Sequence, residues 1–259
     1  MPLAHIKWYK ETDSTNFRLA MERDTAPQGQ IFAAMFQSEG RGQRGNTWES
    51  RAGENLTFSI LLKPSDIYLR EQFCISQAVA LGVVAWLGDK GVDARIKWPN
   101  DIYVGDKKIC GILIENYAQG DLIVQSIAGV GLNLSQTVFS EDVPNATSLS
   151  LLTGGKYSPK EELPSLAAHI LHEYGQIAQG DRHLYLRTDA ERRYLELLYR
   201  RGEWHFFEEM NPSEIPVDKR SGQRFRARIL GIDNSACLLL EDEAGSIRHY
   251  FFKEIRYIL

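Results

Sequence analysis

The chain has 259 residues, 43% of them hydrophobic and 25% charged, with a formal net charge of −4. At about 150 residues per domain, that length predicts one large domain with room for a small second one. The composition argues against a disordered, collagenous or coiled-coil chain, and the charge argues against a protein held on nucleic acid by overall basicity.

The first ten residues, MPLAHIKWYK, carry neither the apolar core of a signal peptide nor the Arg/Ser bias of a transit peptide. The apolar stretch Phe73 to Leu87 is too short for a bilayer and contains Ser76 and Gln77, so it reads as a buried helix. Cys74, Cys110 and Cys237 are odd in number and widely spaced, as reduced core residues would be. The expectation is a cytoplasmic chain with no membrane contact.

Asp13-Ser14-Thr15-Asn16 supplies helix-capping side chains before a short helix from Phe17 to Glu22. Ile31 to Phe36 reads as a buried strand and Asn55 to Leu62 as another, with a Gly-rich polar segment between them. After the Phe73 to Leu87 helix comes a strand at Val92 to Lys97. A hairpin turning at Gly105-Asp106 and a strand from Leu122 to Leu134 follow. Neighbouring strands with tight turns predict an α+β domain on a mixed, largely antiparallel sheet with packed helices. Pro159 to Arg201 is helical in pattern, with Gly202 placed as a C-cap. Beyond it, Arg224 to Ile232, Ala236 to Glu241, Ser246 to Phe252 and Ile255 to Leu259 predict a small β-domain. The predicted division is 1–205 and 206–259.

Four segments could carry chemistry. In Gln37 to Trp48, Gly40, Gly42 and Gly45 alternate with Arg41 and Arg44. Glycines admit a ligand to the backbone, and arginines offer forked donors to carboxylate or phosphate oxygens; a solvated surface loop has the same composition. The segment opens no helix and lacks the Lys-Ser/Thr of a phosphate-binding loop. In Lys97-Trp98-Pro99-Asn100-Asp101 and Lys107 to Glu115, two lysines lie near neighbouring strands of one hairpin, either as ligand contacts or as strand-end charges. Gly129-Val130-Gly131-Leu132-Asn133 fits a bulge as well as a close ligand approach. Asp13 to Asn16 alone is a helix cap first. His169 and His172 lack the partners of a zinc site, and no nucleophile elbow or Cys/His pair is present. The mixed charge of Asp181 to Arg201 marks a solvated face.

In order, DSTN, GRGQRGNTW, KWPND, KKICGILIE and GVGLN resemble the biotin–protein ligases, and the resemblance runs through the C-terminal β-domain. It implies a class II synthetase-like catalytic domain followed by an SH3-like domain. It also implies activation of biotin by ATP, with Mg²⁺ accompanying the nucleotide, to biotinyl-5′-AMP. Transfer to a lysine of a carboxylase's biotin carboxyl carrier domain would follow, by a monomer or homodimer. By motif, Ser14, Thr15, Asn16, Gln37, Gly40, Arg41, Lys108, Gly111 and Gly131 would bind biotin. Arg41, Gln43, Arg44, Trp48, Asn100, Lys108, Asn133 and Ala146 would bind ATP or the adenylate. Lys108 and Arg41 would be the catalytic side chains, with no protein metal ligands. The polar stretch Gln136 to Asn145 corresponds to a loop closing over the adenine. A lipoate–protein ligase or octanoyltransferase is the nearest rival, and a non-catalytic binding module the next.

Two departures stand out. Only twelve residues precede Asp13, too few for the DNA-binding domain of relatives that also repress transcription, so no operator binding is expected. The loop carries Gln43 where the family often has arginine, and Gln supplies hydrogen bonds without charge. The expected outcome is faster loss of the adenylate, measured as a slower adenylate off-rate in Gln43→Arg than in the native protein; equal rates would contradict it.

Overall fold

The computed structural model describes residues 5–42, 46–177, 183–210 and 222–259. The chain forms two compact units, Met1–Tyr194 and Leu195–Leu259. They divide at the end of the helical region, earlier than the boundary expected at 205/206.

The first unit is built on a seven-stranded sheet. Its strands are β1 (Ile6–Tyr9), β2 (Ile31–Ala34), β3 (Leu56–Leu62), β4 (Arg95–Lys97), β5 (Asp101–Val104), β6 (Lys107–Gln119) and β7 (Leu122–Leu132), in the order β1-β2-β3-β7-β6-β5-β4. Among these strands β1 and β2 pair in parallel, and the other neighbours are antiparallel. The sheet is therefore mixed and largely antiparallel. The helices of this unit are α1 (Thr15–Glu22), α2 (Phe73–Asp89), α3 (Leu149–Thr153) and α4 (Pro159–Ile177), with α5 (His183–Glu196) crossing its boundary.

Side chains alternate across a strand, so the registers sort β3, β7 and β6 into two faces. Leu56, Phe58, Ile60 and Leu62 on β3 share one face with Ala128, Val130 and Leu132 on β7, and all are buried. The opposite face is divided. At one end Leu61 and Ile127 join Phe32 of β2 and Leu19 of α1 in an apolar cluster that seats α1 on the sheet. At the other end most of the residues are small: Thr57 and Ser59 on β3, Gly129 and Gly131 on β7, and Gly111 on β6, with Leu113 opposite Gly129 the exception. That end cannot fill itself with its own side chains.

Helix α2 packs on β4, β5 and β6 and pairs with α4. Twelve of its seventeen residues are buried, including Trp86, as expected of a core helix. Gly82 lets the two helices meet, since a Cβ there would lie 2.6 Å from Ile170 Cα. Glu173 of α4, almost wholly buried, receives two hydrogen bonds from Arg193 of α5, at 2.9 and 2.7 Å. Cys74, Cys110 and Cys237 are all buried.

The second unit is a five-stranded antiparallel sheet in the order β11-β10-β9-β8-β12, from β8 (Trp204–Glu209), β9 (Arg224–Ile232), β10 (Leu238–Asp242), β11 (Ile247–Tyr250) and β12 (Ile255–Tyr257). Phe207, Ile229, Leu238 and Leu240 form its interior. Two of its tight turns are each closed by an aspartate accepting two backbone N–H groups: Asp233 from Ser235 and Cys237, Asp242 from Ala244 and Ser246. Those from Ser246 and Ala244, with Arg248 beside them, hold the Asp242 carboxyl below the ordinary range. Helix α5 ends at Glu196, so Gly202 does not cap it. With φ at 78°, Gly202 serves a later turn, and its N–H bonds Ile229.

Gly82→Ala is expected to cost about 1–3 kcal/mol by overpacking α2 against α4. Gly88→Ala, at an open position of the same helix, should be neutral or stabilising by up to about 1 kcal/mol. Urea unfolding of both variants measures the difference; a destabilised Gly88→Ala beside an unchanged Gly82→Ala would contradict this helix packing.

Candidate active site

The registers align one row across five strands: Lys97 on β4, Asp101 on β5, Gly111 on β6, Gly131 on β7 and Thr57 on β3. Two consecutive glycines make a shallow trough in the middle of that row. The trough is filled from the 37–48 segment. There Trp48 N–H bonds Gly40 O, Gly42 N–H bonds Asn46 O, and Arg41 bridges Thr47, so the segment doubles back on itself. These pairings let Trp48 lay its indole over the sheet. A Cβ at Gly131 would overlap the indole, and one at Gly111 would lie 3.1 Å from it. The Trp48 Nε1–H is buried and has no hydrogen-bond partner among the described residues. Gly40 is needed too, because a Cβ there would collide with the Trp48 carbonyl.

Lys108 lies beside this trough. Its Nζ is 2.7 Å from Asp101 Oδ1 and 5.7 Å from the Trp48 ring, and about a third of the side chain is exposed. Its backbone is fixed by a short parallel pairing with the 145–147 segment: Lys108 N–H bonds Asn145 O, and Thr147 N–H bonds Lys108 O. Ala146 is thereby held beside Lys108. Asn133 secures the same segment, donating from Nδ2 to Thr147 O at 2.9 Å and accepting from Leu149 N–H. Asn100 is likewise used within the protein. Its Nδ2 bonds Ile112 O at 2.7 Å while Ile112 N–H returns to Asn100 O, locking the turn that follows the cis Trp98–Pro99 bond.

The DSTN segment enters from α1. Asp13 accepts the Ser14 N–H and the Thr12 hydroxyl, in that order of effect, and these hold its carboxyl below the ordinary range. The Ser14 side chain makes no cap bond, although Ser14 is the N-cap residue. Thr15 N–H donates to Gln37 Oε1 at 2.7 Å, and the Thr15 hydroxyl lies 3.0 Å from the same oxygen. Asn16 turns inward: Nδ2 bonds Glu115 Oε2 at 2.7 Å, and Oδ1 accepts from Ser59 Oγ at 2.5 Å. Gly129 makes room for Asn16, since a Cβ there would overlap its Oδ1.

Ser14, Thr15, Asn16 and Gln37 thus cluster at one end of the trough, and Lys108, Gly111, Gly131 and Trp48 at the other. Arg41 stands at the exposed surface with its guanidinium 5.4 Å from the Phe17 ring. Gln43 and Arg44 lie outside the described residues. Three participants escaped the sequence reading: Asp101, Ser59 and Glu115. Asp101 and Glu115 stand within motifs that were noticed, but their partners depend on strand register. Gln136 of the expected closing loop is buried, accepting from Asn55 Nδ2 and the Arg51 N–H. Among the described residues no three His, Cys, Asp or Glu side chains gather into a metal-binding group.

Comparison with known proteins accords with this arrangement. Residues 8–133 match the biotin/lipoate A/B protein ligase family. The chain is 31% identical over 243 residues to a biotin–[acetyl-CoA-carboxylase] ligase of Paracoccus denitrificans, covering 90% of this chain and 93% of that protein. It is a member of the biotin protein ligase family. Its similarity to the bifunctional ligase/repressor BirA of Bacillus subtilis is 36% identity over 149 residues, 56% of this chain and 45% of that protein. The chain thus matches about half the length of such curated relatives. A biotin protein ligase from Aquifex aeolicus, solved with biotin and ATP, shares the fold with a TM-score of 0.76, 24% identity, and coverage of 98% and 99% of the two chains.

Gly131→Ala should expel the Trp48 indole from the trough, seen as a red shift in tryptophan emission that is absent in a Trp48→Phe background. An unshifted spectrum would contradict the packing described here.

Proposed function

We propose that this protein is an ATP-dependent biotin–protein ligase. In the first step the biotin carboxylate attacks the α-phosphate of ATP, giving biotinyl-5′-AMP and pyrophosphate. In the second, a lysine amine of a carboxylase's carrier domain attacks the acyl carbon, forms the amide and releases AMP. The observation that carries the reading is the position of Lys108, a cation fixed by Asp101 beside a glycine-floored trough covered by the Trp48 indole, with a hydrogen-bonding pocket at its other end.

That arrangement suits the chemistry. Neither step requires a protein nucleophile. Each requires two reactants held in register and fixed positive charge where phosphate oxygens gain negative charge. Thr15, Gln37 and Ser14 suit a compact polar head group, while the glycine floor suits an aliphatic tail leading to Lys108 once the Trp48 indole moves off it. In this reading Lys108 and Arg41 meet the carboxylate and then the adenylate phosphate. Gln43, Arg44, Asn100, Asn133 and Ala146 belong to the nucleotide side. Asn133 and Ala146 act there by fixing the segment beside Lys108, and Asn100 by fixing the turn. Mg²⁺ arrives with the nucleotide phosphates. The stretch from Gln136 to Asn145 closes over the adenine and shields the anhydride from water. We assign no operator-binding role to these residues: their net charge is −4, and β1 is committed to the sheet.

The test is pyrophosphate release with Mg·ATP, alongside calorimetric titration with biotin and with lipoate. Release should depend on biotin, and lipoate should not substitute. Lys108→Ala should lower the rate by about 10²–10³-fold, the usual loss when a fixed charge-stabilising group is removed. Equal response to lipoate would shift the reading to a lipoate ligase. Biotin binding without pyrophosphate release would make the protein a binding module.

A further inference from the structure

Glu115 lies mid-strand on β6, away from Lys108, and the reaction outlined above gives it no part. It is nonetheless joined to the head-group pocket by an unbroken run of hydrogen bonds. Glu115 Oε2 accepts from Asn16 Nδ2 at 2.7 Å, and Asn16 Oδ1 accepts from Ser59 Oγ at 2.5 Å. Ser59 Oγ is 2.7 Å from Thr15 Oγ1, and Thr15 N–H donates to Gln37 Oε1, which also lies 3.0 Å from Thr15 Oγ1. Asn16, Ser59 and Thr15 are all buried. Such a chain rewards complete satisfaction and penalises any broken link.

The chain also has a direction, which follows from counting hydrogens. A carboxylate has none to give, so Asn16 must turn its NH₂ toward Glu115 and its carbonyl oxygen toward Ser59. Ser59 has one hydroxyl hydrogen, and Asn16 Oδ1 claims it. Ser59 therefore meets Thr15 as an acceptor: the one Thr15 hydroxyl hydrogen goes to Ser59, at 2.7 Å, and not to Gln37 Oε1, at 3.0 Å, so Ser59 uses up no lone pair of Thr15 Oγ1. If Asn16 were reversed, Ser59 would accept from its NH₂ and give its own hydrogen to Thr15. A lone pair that a ligand N–H needs would then be lost. Gly129 holds Asn16 in place sterically, but an amide reversed end for end has the same shape, so only chemistry fixes its polarity.

We propose that Glu115 is a positioning residue that orients Asn16 and, through Ser59, leaves Thr15 Oγ1 able to accept hydrogen from an N–H of a cyclic urea head group. The inference rests on the biotin reading above and adds a specificity determinant to it. Glu115 touches no reacting atom, so its effect falls on ligand affinity and not on turnover.

The test uses the full chain with biotin, measuring Kd by calorimetry, and KM for biotin and kcat by pyrophosphate release. Asn16→Asp sets two carboxylates against each other and should raise Kd and KM about tenfold, with kcat within about twofold. Glu115→Leu removes the acceptor and should do the same. The decisive variant is Asn16→Asp with Glu115→Gln. The introduced glutamine amide can then donate to the new carboxylate, which still accepts from Ser59. The direction of the chain is restored, and Kd should return to within about threefold of wild type. Wild-type affinity in both Asn16→Asp and Glu115→Leu, or a double variant as weak as Asn16→Asp alone, would overturn the proposal. So would a loss in kcat with KM unchanged. Failure of the wild type to bind biotin would overturn the reading beneath it as well.

Discussion

The constraint on which the site depends is the absence of side chains at three positions of two paired strands. Gly111 and Gly131 face each other across β6 and β7, and Gly129 follows on the same face. Where neighbouring rows carry Leu61 and Ile127, the sheet supports α1 with apolar contact. Where the glycines lie, the sheet leaves room, and that room is taken by Trp48 above Gly131 and Asn16 above Gly129. Each glycine sacrifices side-chain packing in its strand. In return, groups from remote parts of the chain are brought within hydrogen-bonding or van der Waals distance of one another.

The electrostatics follow the same division. At the Lys108 end, the lysine ammonium is matched by the Asp101 carboxylate, and about a third of the lysine side chain stays accessible. That suits an anion that must come and go. At the Thr15 end the groups are buried and hydrogen-bonded to each other, so their arrangement is set before any ligand arrives. Preorganised donors and acceptors suit recognition of a neutral polar group, while an exposed arginine such as Arg41 suits capture of charge. One trough thus joins a rigid recognition end to an accessible charged end.

Much of this was legible in the sequence, unevenly. The helix from Phe73 and the hairpin at Gly105-Asp106 were evident from apolar runs and turn chemistry, and the clustering of chemistry-bearing motifs was evident from their order. What the glycines of GVGLN accommodate was not, because that depends on which strands pair and in what register. Glu115 and Asn16 are 99 positions apart, and no local pattern links them. The strands Ile6–Tyr9 and Trp204–Glu209 escaped notice for another reason. The first is four residues long, and the second, WHFFEE, carries adjacent aromatics and adjacent charges in place of clean alternation. Asn100 and Asn133, taken by resemblance as nucleotide contacts, make their visible hydrogen bonds to backbone carbonyls, and a sequence does not distinguish those two uses of an amide.

In the proposed function, the trough between Thr15 and Lys108 holds biotin while it is activated and handed to a protein. The most direct measurement is the intact mass of a biotin carboxyl carrier domain after incubation with this protein, biotin and Mg·ATP. A gain of one biotinyl group on a single lysine is expected, dependent on ATP and slowed about 10²–10³-fold by Lys108→Ala. An unmodified carrier domain with the native protein, or equal modification by Lys108→Ala, would contradict it.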